Sequence, residues 1–286
     1  MQQDGVASTS ASPRLVRESL ERLTNVAAAA GTFLRATALA ALVGQMTPAT
    51  SGAQGAQTAA GALPFAVGED LAYRASLGRL GGTGSGTMRV EAVEEVRGRR
   101  TYRLHSDLRG RVVGLRAQDH AQSWLDPVRM TSLRFAKCER NPLASFTEAV
   151  EIYPERRQWV AAGDSGAVAT DAPLDELSFI YFVRTLPLAD GDAYVFERHY
   201  DAARNPARVR VVARERVTVP AGEFATVVVE MRVRDARRFE GGEGTVRINL
   251  TDDARRVPVR IASSMRYVGA TVLELESMTL GAGAAP

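Results

Sequence analysis

The sequence predicts a mainly β protein, a curved antiparallel sheet or open β-barrel wrapped on one central helix at about residues 173–185. Three observations carry this prediction. In the last third of the chain, apolar and charged residues alternate with the period of two expected where one sheet face is buried and the other is wet. Strand-like runs recur along the rest at roughly the 8–12-residue spacing of an antiparallel sandwich or barrel, each bounded by Gly, Pro, Asp or paired Arg. One stretch, residues 172–192, breaks the rhythm with an apolar helical run.

Taken in order, residues 63–78 read as an extended lead with Pro64, a turn at Gly68 and a first strand. The GGTGSGT run at 81–87 is expected to be a flexible turn or bulge before a second strand. It lacks the Gly-Lys-Ser/Thr ending of a phosphate-cradling loop and leads into a strand instead of a helix. RGRR at 97–100 reads as the next turn and TYRLHSDL as the partner strand, followed by AQSWLD, MTSLRFAK, SFTEAVEIY and RQWVAA. Gly163-Asp164-Ser165-Gly166 matches the surroundings of a chymotrypsin-like serine nucleophile, but Ala167 stands where that family has glycine. No Ala-Ala-His-Cys segment precedes it, and His105 and His120 lie too close in sequence for two complete barrels, so a polar turn is expected.

In the helix, Asp171 ahead of Pro173 is expected to cap the N-terminus, with Asp175 and Glu176 in the first turn and Arg184 near the negative end. Leu177, Phe179, Ile180, Tyr181, Phe182 and Val183 leave little polar face, so burial on more than one side follows. Phe179, Ile180, Tyr181 and Val183 are the candidate lining of an apolar ligand site in the sheet concavity, and Phe182 is expected to cover an edge or the opposite side. After the helix, Val209, Val211, Ala213, Val217 and Val219 alternate with Arg208, Arg210, Arg214 and Arg216. Pro220-Ala221-Gly222 turns the chain into the partner strand, where Ala225, Val227, Val229, Met231 and Val233 resume the pattern.

Composition narrows the function classes. Basic and acidic residues number 36 and 33, a net charge of only +3 over 286 residues, and Arg alternates with Glu along the strands. The basic clusters at 97–100 and 237–238 lie in expected turns without interleaved aromatics, so no nucleic-acid partner is predicted. Cys138 is the single cysteine, which excludes an intramolecular disulfide, and its place in LRFAKCER reads as a half-buried strand position. His105, His120 and His199 show no metal-ligand spacing among themselves or with Cys138, and Asp252-Asp253 reads as a charged hairpin turn. No catalytic, cofactor-binding or metal-binding set is therefore read from the sequence, and a non-enzymatic protein is expected.

Residues 36–46, ATALAALVGQM, are an apolar run preceded by Arg35 and followed by small and polar residues, the order of a secretory signal peptide. It is shorter than the roughly 20 apolar residues of a comfortable membrane span. The expected organisation is a signal peptide with a long N-terminal extension over 1–53, cleavage near Ala53, a linker over 54–62, a single β domain over 63–280 and a tail over 281–286. No cysteine follows the run, so a lipid anchor is not expected. Several segments together resemble the domain of unknown function 3108 family of exported bacterial envelope proteins. They are PFAVGEDLAYRASLG, DELSFIYFVRTLPLADGD, VTVPAGEFATVVVE and LTDDARRVPVRIASSMRYVGATVLELE, in that order. The family carries over no active site. The resemblance implies export to the periplasm or envelope and a sheet like that of periplasmic lipoprotein carriers, with a lipid, another apolar ligand or an envelope protein as partner. A solid-core structural or interaction domain is the alternative.

Overall fold

The computed structural model describes residues 62–78, 81–112, 114–141, 144–236, 239–265 and 269–282. The expected signal segment, all but the end of the linker, Arg237-Arg238 and the end of the tail lie outside these residues. Strands β1 (Asp70–Leu77), β2 (Gly82–Val96), β3 (Arg99–Val112), β4 (Leu115–Asp126), β5 (Thr131–Asn141), β6 (Ala144–Tyr153), β7 (Gln158–Ala161) and β8 (Asp164–Ala167) precede helix α1 (Glu176–Val183). Strands β9 (Ala193–Phe196), β10 (Ala207–Val219), β11 (Gly222–Arg234), β12 (Glu243–Thr251), β13 (Pro258–Met265) and β14 (Gly269–Thr279) follow it.

All 14 strands join one antiparallel sheet in the order β8-β7-β6-β5-β4-β3-β2-β1-β14-β13-β12-β11-β10-β9. Strands consecutive in sequence pair with each other, except β8 and β9, which flank α1, and a seam joins the first and last strands, β1 pairing with β14 from Asp70↔Thr279 to Leu77↔Thr271. The sheet is not closed into a barrel: β8 and β9 are its two edges. Laid flat it would be roughly 60 Å wide at about 4.8 Å per strand. One hydrophobic core nevertheless takes in Val90 of β2, Phe135 of β5, Ile152 of β6, Val209 of β10, Ile248 of β12 and the apolar side chains of α1, which a flat sheet could not bring together. Register shifts bend it, between Val90 and Ala92 in β2 and between Val211 and Ala213 in β10 among others.

The alternation read for β10 is present, with Val209, Val211, Val217 and Val219 buried and Arg208, Arg210, Arg214 and Arg216 exposed. The bulge at Val212 reverses which face the odd positions occupy, a feature that a period of two conceals. Val217 and Val219 stay buried because the hairpin tip reaches across the end of the sheet, where the Ala221 N–H donates to the Leu275 carbonyl at 2.9 Å.

Three sequence expectations need correction. The GGTGSGT run is strand, not a flexible turn: from Gly82 onward it pairs with both β1 and β3. A Cβ on Gly84 would sit 2.1 Å from the Arg109 carbonyl oxygen, so glycine there permits a close backbone approach. GDSG is only half a turn, since Ala162 and Gly163 form the bend and Asp164 begins β8. The helix is shorter than expected, and Asp175, not Asp171, caps it. Residues before it are held extended: the Ser132 N–H donates to the Pro173 carbonyl at 2.8 Å, and Leu174 bridges His199 in parallel. Among the described residues, no helix is long and apolar enough to cross a membrane.

Candidate functional site

Helix α1 is anchored at both ends by groups distant in sequence. At its start the buried Asp175 carboxylate accepts from the Leu177 and Ser178 backbone N–H groups, each at 2.9 Å. Ser123 of β4 donates to the other carboxylate oxygen at 2.6 Å, and Ser132 of β5 lies 2.6 Å from Ser178 Oγ. Burial pushes the Asp175 pKa up against these stabilising hydrogen bonds. At the far end Arg184 is fully buried and forms a two-pronged pair with Glu69, at 2.7 and 2.8 Å. It also donates to the Pro64 and Arg255 carbonyls and stacks over Phe65 and Tyr181. Burial alone would lower the Arg184 pKa, but the Glu69 carboxylate raises it overall, so Arg184 keeps its charge.

A cavity of about 180 Å³, partly open, lies between the first half of α1 and strands β2 to β4 and β10 to β14. Leu177, Phe179 and Ile180 form its helix side. Met88, Met231 and Leu273 are among the residues that face them from the sheet. One part of the wall is polar: Glu176 pairs with Lys137 and, at 3.1 Å, with Arg204, which lies 3.3 Å from Asp235. His199 also lies on the wall. Its Nδ1 accepts from the Asp201 N–H at 3.0 Å, and burial, with Arg204 nearby, lowers its pKa to about 4.

Of the four lining residues expected from sequence, the structure places Phe179 and Ile180 on the cavity wall. Tyr181 and Val183 lie instead in the packed core, Tyr181 edge-on to Phe65 with ring centroids 4.9 Å apart. Rotation of about 100° per residue turns Tyr181 away from Phe179 and Ile180, whereas Val183 shares their face but lies about one turn further along, beyond the half of α1 that lines the cavity. Phe182 covers the edge strand β9, 5.1 Å from the Phe196 ring. The sequence reading missed the polar part of the wall. Arg204, Asp235 and Glu176 are far apart along the chain, and no local pattern marks them. The link that follows β9 packs against the other half of the sheet, with Trp159 of β7 6.0 Å edge-on from Tyr200.

Comparison with known proteins supplies the family. Residues 72–276 match the family described as Protein of unknown function (DUF3108). The chain belongs to that family. A search of curated protein sequences finds no match for this DUF3108 chain. Among solved structures it is similar to a β-barrel-like protein of domain of unknown function DUF1849 from Brucella abortus. The TM-score is 0.50 at 10% identity, covering 76% of this chain and 99% of that one. It also matches a protein described as a lipoprotein from Parabacteroides distasonis, at 12% identity and a TM-score of 0.28 over 76% of this chain and 99% of that chain. A third match is a protein described as exported and of YmcC-like fold from Bacteroides fragilis, at 11% identity and a TM-score of 0.28 over 76% of this chain and 98% of that one. At such identities the first likeness concerns the fold alone, and it agrees with the open, barrel-like sheet.

Proposed function

We propose that this DUF3108 protein is an exported, non-enzymatic component of the bacterial periplasm or envelope that holds an apolar ligand, such as a lipid or acyl chain, between α1 and the sheet wrapped around it. The observation that carries the reading is the apolar-walled cavity at Leu177, Phe179 and Ile180. Its size bounds the ligand. A dry apolar cavity of about 150 Å³ accepts benzene, so a cavity of about 180 Å³ takes a small ring or the end of an acyl chain. The rest of a longer molecule would leave through the open side. Export rests on the apolar run at 36–46 with its basic flank and small-residue sequel. The non-enzymatic part rests on the charged wall residues, which pair with one another in place of a nucleophile and base.

The test is mass spectrometry of organic extracts from protein purified out of its native host, with binding of a fluorescent apolar probe measured in parallel. A co-purifying apolar compound and a probe that it displaces are expected. Phe179→Ala should weaken probe retention while costing less than the about 3–5 kcal/mol of an aromatic truncated in a sealed core. A solid-core scaffold is the second reading, favoured by the packing of Tyr181 and Val183 into the core. Full destabilisation by Phe179→Ala, with neither a co-purifying compound nor probe binding in the wild type, would replace the carrier by the scaffold.

A further inference from the structure

Strand pairing brings together two histidines that sequence spacing left apart. Asp107 of β3 lies directly opposite His120 of β4, and His105 stands two residues from Asp107 on the same face of β3. That face is the outer one. Met88 and Val90 point into the core and pair with Ser106 and Leu104, so the odd-numbered neighbours His105 and Asp107 project the other way. One ligand atom from each of His105, Asp107 and His120 lies within 4.8 Å of the others. His120 Nδ1 and Asp107 Oδ2 are already 3.5 Å apart, close to the roughly 3.4 Å between two ligands on a tetrahedral ion with bonds of about 2.0–2.1 Å.

From this geometry we infer that His105, Asp107 and His120 form a binding site for a first-row divalent transition metal ion on the outer face of β3 and β4, with Zn²⁺ the ion it fits. Two imidazoles and one carboxylate are donors of the type that suits zinc and its neighbours, whereas magnesium and calcium prefer an all-oxygen set. The surroundings match what metal ligands require next to them. His105 Nδ1 is buried, has no hydrogen bond and faces Glu91 Oε1 at 3.4 Å, so a metal on Nε2 leaves the Nδ1–H directed at a carboxylate. Glu91 is itself held by Arg103 at 2.8 Å. Arg109 donates to both Asp107 oxygens, to Oδ1 at 2.6 Å and to Oδ2 at 3.1 Å, and so steadies the carboxylate, whose Oδ2 also faces His120. His120 is about one-third exposed, which gives the ion a path from solvent and leaves room for water at a fourth position. His199, the third histidine weighed from sequence, sits on the cavity wall and is not part of the group.

Titration of the untagged full chain with Zn²⁺ against a competing chelator tests the site, with thermal melting of each protein as the check on folding. One Zn²⁺ per chain and a rise in melting temperature are expected for the wild type, with no rise from equimolar Mg²⁺. His120→Gln, at a partly exposed outward position, should fold and lose at least about 100-fold in Zn²⁺ affinity. Glu91→Gln should lose about 10–100-fold, the usual effect of removing a group that orients a ligand. Equal Zn²⁺ affinity in the wild type and in a folded His105→Gln/His120→Gln variant would overturn the site, as would a wild type that binds Mg²⁺ as well as Zn²⁺.

Discussion

His199 shows how one side chain on the cavity wall reports on the whole fold. Its Nδ1 accepts a backbone N–H, so the neutral ring carries its proton on Nε2, and burial then lowers its pKa from an ordinary 6.5 to about 4. Glu176 and Asp201 oppose this shift without reversing it. Because the folded value lies below the unfolded one, the unfolded chain takes up the proton first as pH falls. The contribution of His199 is therefore complete above about pH 6.5 and is lost between about 6.5 and 4, up to about 3 kcal/mol in all. His105 is shifted down by burial too and adds to the same trend, whereas Asp175, raised by burial, gains stability as pH falls through the carboxylate range. The difference between two proteins isolates the residue. Urea denaturation midpoints at pH 7 and pH 4.5 should fall further for wild type than for His199→Gln, and equal falls would show that His199 is protonated in the fold. None of this was legible in the sequence, where His199 is a polar residue in an unpatterned link.

Helix α1 was legible as an apolar helix in an otherwise β chain, and its partners were not. Arg184 read as a cation favourably placed near the negative end of a helix. Its actual role is to pair with Glu69, 115 residues earlier, where neither side chain has any exposure. A buried pair of this kind adds little net stability compared with apolar replacements, but removing one partner strands the other's charge. Glu69→Leu and Arg184→Met should each cost about 3–5 kcal/mol, and the double variant Glu69→Leu/Arg184→Met should recover a large part of that loss. Chemical denaturation of the three variants gives the coupling. Additive losses would mean that the pair acts only through packing. The cap illustrates the same limit on sequence reasoning. Asp171 and Asp175 are equally good capping residues by type, and the choice between them is made by Ser123 and Ser132, which sit on strands far away in sequence. The short edge strands β8 and β9 escaped notice for a related reason, since four residues hold too few alternations to set a period.

Across the whole molecule, alternation identified the long strands and their hairpins, because consecutive strands pair with each other everywhere except across α1, between β8 and β9. The pairing of β1 with β14 left no local trace, and neither did the placement of the sheet edges at β8 and β9. The seam places the two ends of the domain side by side: a Cβ on Gly281 would lie only 2.3 Å from the Ala66 carbonyl oxygen. A circular permutant that joins residue 282 to residue 62 by a short glycine-rich linker and opens the exposed bend at Ala162-Gly163 should therefore fold, with a melting temperature within about 10 °C of the parent domain. A chain ending before Gly269 should not fold, because β1 and β13 would both lose a partner. Circular dichroism melting distinguishes the outcomes, and an unfolded permutant would show that the order of connection matters beyond the contacts it makes. That order has a consequence in time. A chain emerging from its N-terminus can lay down β1 to β8 and then β9 to β14 as two separate meanders, but β1 waits for the last strand to appear before its second edge is covered. Until then the halves of the core have no shared interior, and the seam is the longest-range pairing in the sheet, the kind that forms slowly. A polypeptide threaded through a membrane pore would thus be kept from premature completion by its own topology, and its final strand would act as the latch.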